Sequence, residues 1–437
     1  MMDNALKLIK RLKACGYEAY LVGGCVRDML MGVEPHDFDI TTSALPDEIL
    51  GVFSDYRVIQ TGIKHGTVTV MLDSEAYEIT TFRCDGEYSD HRHPIGVTFS
   101  LRLVDDLSRR DFTVNAMAYS EETGLVDLYG GQDDVKNGII RAVGDPIKRF
   151  DEDALRIIRA ARFASEKGFD IEPKTKSAML EKAELLKCVS AERIFDELKK
   201  LLMGKDVCRV MTELPEIISA AVPVLKPCVG FDQRNYHHIY NVYEHTAHAV
   251  QSCPDNVTVR IAALLHDVGK PHTFSTKDGT GHFYGHAEKS VELAEIALSE
   301  LRVDNETKQT VLLLIKYHDL VIEQTEKSVR RMLQKLGLER MNMLLELKSA
   351  DNLAQAPEYH GRLKQYDNIR GIIDKIIADD GCFTLKKLAV NGQDVMALGV
   401  PAGKGVGRIL GVLLDAVIDG ETKNEKEALL EKARALI

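Results

Sequence analysis

The sequence AYLVGGCVRDM, residues 19–29, changes at a pair of glycines from the pattern of a buried strand to that of a helix. Gly23 and Gly24 allow the backbone to approach a ligand closely, and the first turn of the following helix offers free N–H groups to an anion. Arg27 adds a fork of donors. The segment matches neither a Walker loop nor a dinucleotide fingerprint. It therefore predicts either a tight structural turn or a phosphate site of another kind.

Two aspartates separated by one residue, Asp37 and Asp39, follow the glycine turn. Residues two apart on a strand share a face, so both carboxylates would point the same way while Phe38 enters the core. Two neighbouring anions are costly unless a cation lies between them, and carboxylates together with substrate phosphates suit Mg²⁺. Glu78, in a later predicted strand, is either a third carboxylate of this site or an ordinary surface residue.

The pattern of the chain changes near residue 145. Runs rich in β-branched residues at 67–72 and 77–82 predict strands before that point, whereas helical periodicity dominates after it. We therefore predict an α+β protein whose strands lie early in the chain.

The first helix predicted after this change, at 151–164, carries Arg156, Arg159 and Arg162 at every third position. They would form one basic ridge, with Asp153 beside Arg156 on the same face. Such a face is often a salt-bridged surface that contributes little to stability. The alternative is a recognition device, in which the neighbouring acceptor and donor present a Watson–Crick-like edge to an incoming base.

Composition limits the class of protein. The chain has 437 residues and a formal net charge of −11, which argues against a protein that coats nucleic acid by charge alone. Its 8 cysteines form no CxxC pair, so we expect reduced thiols in the cytoplasm. The N-terminus lacks an apolar signal-peptide core and no apolar run is long enough to span a bilayer, so we expect no membrane association.

Four motifs together resemble the bacterial-type (class II) tRNA nucleotidyltransferases of the DNA polymerase beta-like superfamily. They are LVGGCVRD at 21–28, DFD at 37–39, RRDFTVNA at 109–116 and EDALRIIR at 152–159. The segment AVNGQDV at 389–395 is similar to the tail of that family, which extends the resemblance along the chain.

The resemblance implies four domains, of which the first is a mixed-sheet nucleotidyltransferase head and the others are helical. They are the head at 1–145, an all-α neck at 146–225, a body at 226–380 and a tail at 381–437.

The resemblance also implies what the motif residues do. Asp37 and Asp39 would hold the catalytic Mg²⁺, and the 3′-hydroxyl of tRNA would attack the α-phosphate of CTP or ATP with release of pyrophosphate. Asp153 and Arg156 would read the base. The other nucleotide and RNA contacts would come from one glycine and several arginines: Gly24, Arg27, Arg110, Arg159 and Arg162.

A second set of residues, in the body, resembles the HD phosphohydrolases. His245, His266-Asp267 and Asp351 follow that family's order, and His286 and His318 lie between them. The resemblance implies a centre for Mn²⁺, Co²⁺ or Ni²⁺, with His286 and His318 at a second metal position, that hydrolyses phosphoesters such as 2′,3′-cyclic phosphates. A scaffold that keeps these ligands without activity is the alternative.

Other functions remain open at this point. Residues 85–94 are similar to a loop that enzymes restricted to CC addition lack, which favours full CCA addition or addition of A alone. Poly(A) polymerase is a further alternative, although those relatives carry a long basic C-terminal extension and residues 421–432 are mixed and acidic. An HD phosphohydrolase with a non-catalytic RNA-binding head predicts loss of Asp37 or Asp39, and both are present. Two intact metal-site patterns argue against a non-catalytic RNA-binding protein, and the acidic net charge gives that class no support.

Overall fold

The computed structural model describes residues 1–85, 97–378 and 381–437. It contains two compact units, residues 1–226 with 299–303 and residues 227–298 with 304–437. The predicted α+β class is confirmed, because one large sheet lies early in the chain and helices dominate the rest. The finer division into head, neck, body and tail stays a prediction. Within the described ranges, every helix is too short or too polar to cross a membrane.

The strands of the first unit lie mainly before residue 130. They are β1 (Ala19–Val22), β2 (Asp39–Thr42), β3 (Arg57–Ile59), β4 (Thr67–Leu72), β5 (Glu75–Thr81), β6 (Arg83–Asp85), β7 (Val97–Phe99), β8 (Met117–Ser120), β9 (Gly124–Asp127), β10 (Ile139–Ile140) and β11 (Asp170–Ile171). Seven of them form one sheet in the order β3-β4-β5-β2-β1-β8-β9. The sheet is mixed, because β2 pairs parallel with β5 and antiparallel with β1.

The helices of the first unit flank this sheet or follow it in the chain. They are α1 (Met2–Ala14), α2 (Gly24–Leu30), α3 (Pro46–Val52), α4 (Leu103–Ser108), α5 (Gly131–Asn137), α6 (Pro146–Glu152), α7 (Leu155–Lys167), α8 (Pro173–Glu181), α9 (Ala191–Leu202), α10 (Val207–Glu213) and α11 (Pro215–Ala221). The apolar face of α1 joins one core cluster with Phe38 and Ile40 of the sheet. Burial of such side chains typically contributes about 1.5–3 kcal/mol each, which holds the strand carrying Asp39 in place.

The second unit is helical apart from one short hairpin. Its helices are α12 (Val242–Ser252), α13 (Val257–Leu265), α14 (Lys270–Thr273), α15 (His286–Glu300, whose end falls in the first unit), α16 (Asn305–Tyr317), α17 (Glu326–Leu353), α18 (Arg362–Ala378), α19 (Gly392–Met396), α20 (Lys404–Ile418) and α21 (Lys426–Arg434). The hairpin pairs β12 (Ser275–Lys277) with β13 (Thr280–His282). Its turn, Asp278-Gly279, has positive φ at both residues, as a tight two-residue hairpin requires.

Candidate active site and metal centre

The glycine turn, the aspartate pair and Arg110 meet at one end of the sheet. Val22, the last residue of β1, pairs with Asp39, the first residue of β2. Gly23 has a φ of 82°, and a Cβ at this position would lie 3.0 Å from Arg110 Nη1 and 3.9 Å from Asp39 Oδ2. A glycine is therefore needed here both for the backbone conformation and for the close approach of these two charged groups.

The aspartate pair carries more negative charge than its surroundings balance. Phe38 is buried while Asp37 and Asp39 are exposed, as the alternation predicted. Partial desolvation of its carboxylate and the negative charges of Asp37 and Glu78 raise the pKa of Asp39 to about 6, although Arg110 acts in the opposite direction. Oxygen donors crowded in this way suit a divalent cation, which removes the repulsion between them.

Arg110 is held with one nitrogen uncommitted. Its Nη2 lies 3.3 Å from Asp106 Oδ2, and its Nη1 lies 3.5 Å from the carbonyl oxygen of Asn115. Its Nε is buried and has no hydrogen-bond partner in the part of the chain that the structure describes. Burial alone would raise the pKa of Asp106, but Arg110 and Arg109 lower it, so Asp106 is an anion that fixes both arginines. A guanidinium held in this way beside the aspartates can receive a phosphate.

Arg27 follows the glycine turn and is bonded to other protein groups. It is 6% exposed. Its Nη1 donates to Asn115 Oδ1 at 2.7 Å, and its Nε donates to Asp28 Oδ1 at 3.0 Å. These bonds support the turn, and the expected contact of Arg27 with the nucleotide stays a prediction.

The helix predicted at 151–164 is broken at Asp153, which corrects the predicted pairing of Asp153 with Arg156. Asp153 has extended backbone, with φ −140° and ψ 103°, between α6 and α7. Its carboxylate accepts from the backbone N–H of Leu155 and from Arg193 Nη2, each through a different oxygen. The side chain of a short-chain acceptor satisfies the free N–H groups of a helix start, and this competing interaction ends the continuous helix.

Arg156 points to other protein groups in this conformation. Its Nη1 donates to Glu152 Oε2 at 2.9 Å, and its Nη2 donates to the carbonyl oxygen of Arg109 at 2.9 Å. The backbone N–H of Arg156 donates to the carbonyl oxygen of Asp153 at 3.0 Å, but in the described residues their side chains bond to other groups. A base could use them only by replacing the present partners.

The arginines of the predicted basic ridge are salt-bridged to acidic residues, which is the ordinary alternative that the sequence left open. Arg159 donates two hydrogen bonds to Asp111 Oδ2, at 3.0 and 2.7 Å, and Arg162 lies 3.1 Å from Glu197. Asp111, despite burial that alone would raise its pKa, is held at a pKa of about 2 by Arg159. Sequence periodicity found the shared face of the arginines but not their acidic partners, which are supplied by distant segments.

The six residues predicted for the second site come together in the helical unit. His245 lies on α12, His266 and Asp267 directly follow α13, and Asp351 lies on α17; His286 begins α15 and His318 follows α16. His245 Nε2 and His266 Nε2 lie 3.5 and 3.3 Å from Asp267 Oδ2. His286 Nε2 and His318 Nε2 lie 3.5 and 3.7 Å from Asp267 Oδ1. Asp351 Oδ1 completes the first group, 3.0 Å from His245 Nε2.

Every histidine of this centre is oriented by the main chain. The Nδ1 atoms of His266, His286 and His318 each contact the carbonyl oxygen three residues earlier, at 2.7, 2.9 and 2.6 Å, and His245 Nδ1 contacts the carbonyl oxygen of Ala354 at 3.2 Å. An Nδ1–H that donates to a carbonyl leaves Nε2 as a free acceptor, which is the tautomer of a metal ligand.

The buried donors of this centre favour the binding of a positive charge. His266 is fully buried, and no described residue bonds its Nε2. Burial alone would lower its pKa, but Asp267 and Asp351 raise it to about 10. Lys270, which sequence reasoning missed, lies 2.7 Å from Asp267 Oδ2. A buried set of imidazole and carboxylate donors with a shared aspartate fits one or two divalent transition metals.

Three family models match the chain. The Poly A polymerase head domain matches residues 19–141, the RNA and SrmB-binding site model of polymerase A matches residues 168–217, and the second domain model of tRNA nucleotidyltransferases matches residues 284–433.

The chain is also similar to curated proteins and to solved structures over nearly its whole length. It is 35% identical to the CCA-adding enzyme of Geobacillus stearothermophilus, with 98% of this chain and 95% of that protein covered. It is 35% identical to the CCA-adding enzyme of Levilactobacillus brevis, with 98% and 96% covered. The crystal structure of the Bacillus stearothermophilus CCA-adding enzyme in complex with CTP matches with a TM-score of 0.76 and 31% identity, covering 100% of this chain and 97% of that one.

Proposed function

Because the chain belongs to the CCA-adding enzymes, we propose that it rebuilds the 3′-CCA end of tRNA by adding CMP and AMP from CTP and ATP without a template. Oxygen of the tRNA 3′-hydroxyl bonds to the α-phosphorus, the bond from that phosphorus to the bridging oxygen breaks, and pyrophosphate leaves. The observation that carries the assignment of this chemistry to the head is the convergence of Gly23, Asp39 and Arg110. The protein would do this work in the cytoplasm.

Divalent metal belongs to this reaction, and Mg²⁺ at Asp37 and Asp39 is the form we propose. The donor set fits, since the raised pKa of Asp39 shows a carboxylate that gains from a neighbouring cation. The chemistry that a cation supplies there is neutralisation of charge at the α-phosphate and activation of the 3′-hydroxyl.

The protein groups around the aspartates would bind and orient the triphosphate. Gly23 and Gly24 bring backbone close to the phosphates, and Arg110, whose Nη1 lies beside the glycine turn, supplies donors to the same region. Arg27 supports the glycines, because its bonds to Asn115 and Asp28 keep the turn in shape. A fixed triphosphate places the α-phosphate for in-line attack, which is where positioning contributes most to the rate.

Base selection would fall to Asp153 and Arg156. Each now bonds to protein groups that a nucleobase could replace: Arg193 for Asp153, and Glu152 for Arg156. The extended backbone at Asp153 leaves its carboxylate outside the regular helix and thus able to turn. Arg159 and Arg162, tied to Asp111 and Glu197, would support this segment from below.

A tRNA transcript ending at the discriminator base tests the proposal, with Mg²⁺ and labelled CTP and ATP supplied singly and together. We expect two nucleotides from CTP alone and three from both. Addition only to a transcript ending in CC would mean an A-adding enzyme, and a long A-tail would mean poly(A) polymerase. The predicted loop at 85–94 lies, from residue 86 on, outside the described residues, so this assay decides the extent of addition.

A second function, hydrolysis of phosphoesters, is favoured by the geometry of the helical unit. Asp267 presents Oδ2 to His245 and His266 and Oδ1 to His286 and His318, so one carboxylate serves two groups of donors. We assign Mn²⁺, Co²⁺ or Ni²⁺ to His245, His266, Asp267 and Asp351, and a second ion to His286 and His318. Metal analysis of wild type and His266→Ala tests the ligand set, and phosphate release from a ribonucleoside 3′-phosphate tests the activity.

A further inference from the structure

An aromatic surface lies at the opening of the cavity that contains the histidine centre. The cavity has a volume of about 320 Å³, and both Asp267 and Tyr284 line it. Tyr284 is 78% exposed, and its ring lies nearly parallel to that of His282, with an angle of 6° and 5.4 Å between centroids. We call these two residues the aromatic shelf. An exposed tyrosine offers an apolar ring face together with a polar hydroxyl, and such side chains are enriched where proteins contact other molecules.

The shelf is fixed relative to the centre by a continuous set of contacts. Gly281, which precedes His282, donates its N–H to the carbonyl oxygen of Arg234 at 2.7 Å, and a Cβ at Gly281 would lie 2.1 Å from the carbonyl oxygen of Gln233. The side chain of Gln233 in turn accepts from Lys270 Nζ at 2.9 Å, and Lys270 lies beside Asp267. The hairpin, which ends at His282 of the shelf, is therefore attached through Gln233 to Lys270 beside Asp267.

Cationic side chains line the space between the shelf and the centre. Lys270 is 5% exposed and Arg362 lies at the solvent side of the same cavity. The cavity thus offers a flat aromatic surface, positive side chains and a metal-type donor set in one place. A planar base stacks on an aromatic face whatever its sequence, and a phosphate needs cationic groups.

We propose that His282 and Tyr284 hold the base of the substrate of the hydrolytic centre by stacking, while its phosphate lies on the side of the cavity formed by Lys270 and Asp267. The proposal rests on the hydrolytic function proposed above and assigns the residues that recognise the base. Hydrolysis adds water oxygen to phosphorus and breaks the ester bond, so the ribose keeps its oxygen, takes a proton from water and phosphate leaves. Tyr284 makes no contact with the reacting atoms and acts as a specificity-determining residue.

Two phosphate monoesters test the shelf. Adenosine 3′-phosphate carries a base and glycerol 2-phosphate carries none, and both are assayed by phosphate release with Mn²⁺, Co²⁺ or Ni²⁺. We expect Tyr284→Ala to raise the KM for adenosine 3′-phosphate about tenfold, from the usual worth of one stacked base, and to leave that for glycerol 2-phosphate unchanged. Tyr284→Phe should behave as wild type. Tyr236→Ala is the matched control, since Tyr236 is 69% exposed in the same unit but does not line the cavity.

An equal effect on both esters, or none on either, would overturn the shelf. A short RNA ending in a 3′-phosphate shows whether the substrate is an RNA end or a free nucleotide. A KM for this RNA below that of adenosine 3′-phosphate, and raised by Tyr284→Ala, assigns the site to RNA ends. A higher KM for the RNA assigns the site to free nucleotides, and either outcome is consistent with a stacked base.

Saturation-transfer NMR with adenosine separates failure of the shelf from failure of hydrolysis. The protein is used without metal, and every variant keeps the head unchanged, so that binding of adenosine at the head is the same in all of them. We expect stronger transfer to the adenine protons in wild type and Tyr284→Phe than in Tyr284→Ala. If wild type hydrolyses neither ester but transfer depends on Tyr284 in this way, the proposed hydrolysis is wrong and the stacking role of the shelf is retained. If wild type shows no transfer to adenine, the stacking role is wrong.

Discussion

The two proposed metal sites differ in how far the protein surrounds them. In the head, Asp37 and Asp39 lie exposed at the start of a strand, and substrate phosphates can complete the coordination of a cation. In the helical unit, His245, His266 and Asp267 are at most 1% exposed, and the protein itself supplies most donors. We infer that the first cation arrives with its nucleotide, whereas the second is resident.

Asp39→Ala should have the largest effect and should confine it to the head. CCA addition is expected to fall by about a thousandfold or more, because removing a ligand removes several kcal/mol of transition-state stabilisation. Incorporation of labelled CTP measures the loss, and metal analysis of the same protein should find the transition metal of the helical unit unchanged. Addition within tenfold of wild type would contradict the role given to Asp39.

His245→Ala should produce the converse pattern. The affinity for Mn²⁺ or Co²⁺ is expected to fall about a hundredfold, since a buried donor is lost and Asp351 loses a contact of 3.0 Å. Titration calorimetry measures the affinity, and CCA addition, which should stay within twofold, serves as the control. Undiminished metal binding would remove His245 from the ligand set.

Asp111→Asn tests whether the open site of the head depends on a buried ion pair for support. The folded pKa of Asp111 is about 2 against an ordinary value of 3.8, so its ionised form stabilises the fold by about 2 kcal/mol above pH 4. The stabilisation falls as pH drops below 4 and is lost below the folded pKa of about 2, where both states are protonated. Urea unfolding followed by circular dichroism at several pH values should show a variant that is less stable than wild type at pH 7, with a difference that shrinks as pH falls towards 2.

A matched control for this ion pair is Asp170→Asn. Asp170 also bonds to an arginine, Arg209 at 3.0 Å, but its side chain is 83% exposed. Solvent screens such a pair, so a change below about 0.5 kcal/mol is expected. A loss equal to that of Asp111→Asn would mean that burial does not set the difference.

Gly23→Ala should have the smallest effect, an approximately tenfold loss of CCA addition. A Cβ there would lie 3.0 Å from Arg110 Nη1 and would move that arginine from the aspartates, and misplaced groups of this kind lower rates steeply. Gly16→Ala is the control, because its φ of +91° is also positive and nothing lies within 4 Å of the added carbon. Steady-state kinetics should separate the two variants, whereas the positive φ should cost each of them roughly 1–3 kcal/mol of stability.

The sequence predicted the strand-borne features well. The alternation at Asp37-Phe38-Asp39 correctly placed one side chain in the core and two outside, because period-two patterning follows directly from strand geometry. The glycine turn was also found, since Gly23 occupies a backbone conformation that other residues rarely adopt.

Sequence patterns of this kind could not predict the contacts between distant segments. The break at Asp153 depends on Leu155 and Arg193, and helical periodicity carries no sign of either contact. The arginines after it are buried because Asp111 and Glu197 pack against them from other parts of the chain. For such residues tertiary structure overrides local pattern.

The main-chain contacts of the histidines affect how the sequence around this centre can change in evolution. Carbonyl oxygens at Ala263, Phe283 and Ile315 fix three of the imidazoles, and every residue type carries such an oxygen. The side chains at these positions can therefore change without loosening the ligands, provided that the helices before His266 and His318 end, and the helix at His286 begins, in the same way. A search for invariant side chains around the histidines would miss this orienting layer, because it is encoded in helix ends and not in residue identity.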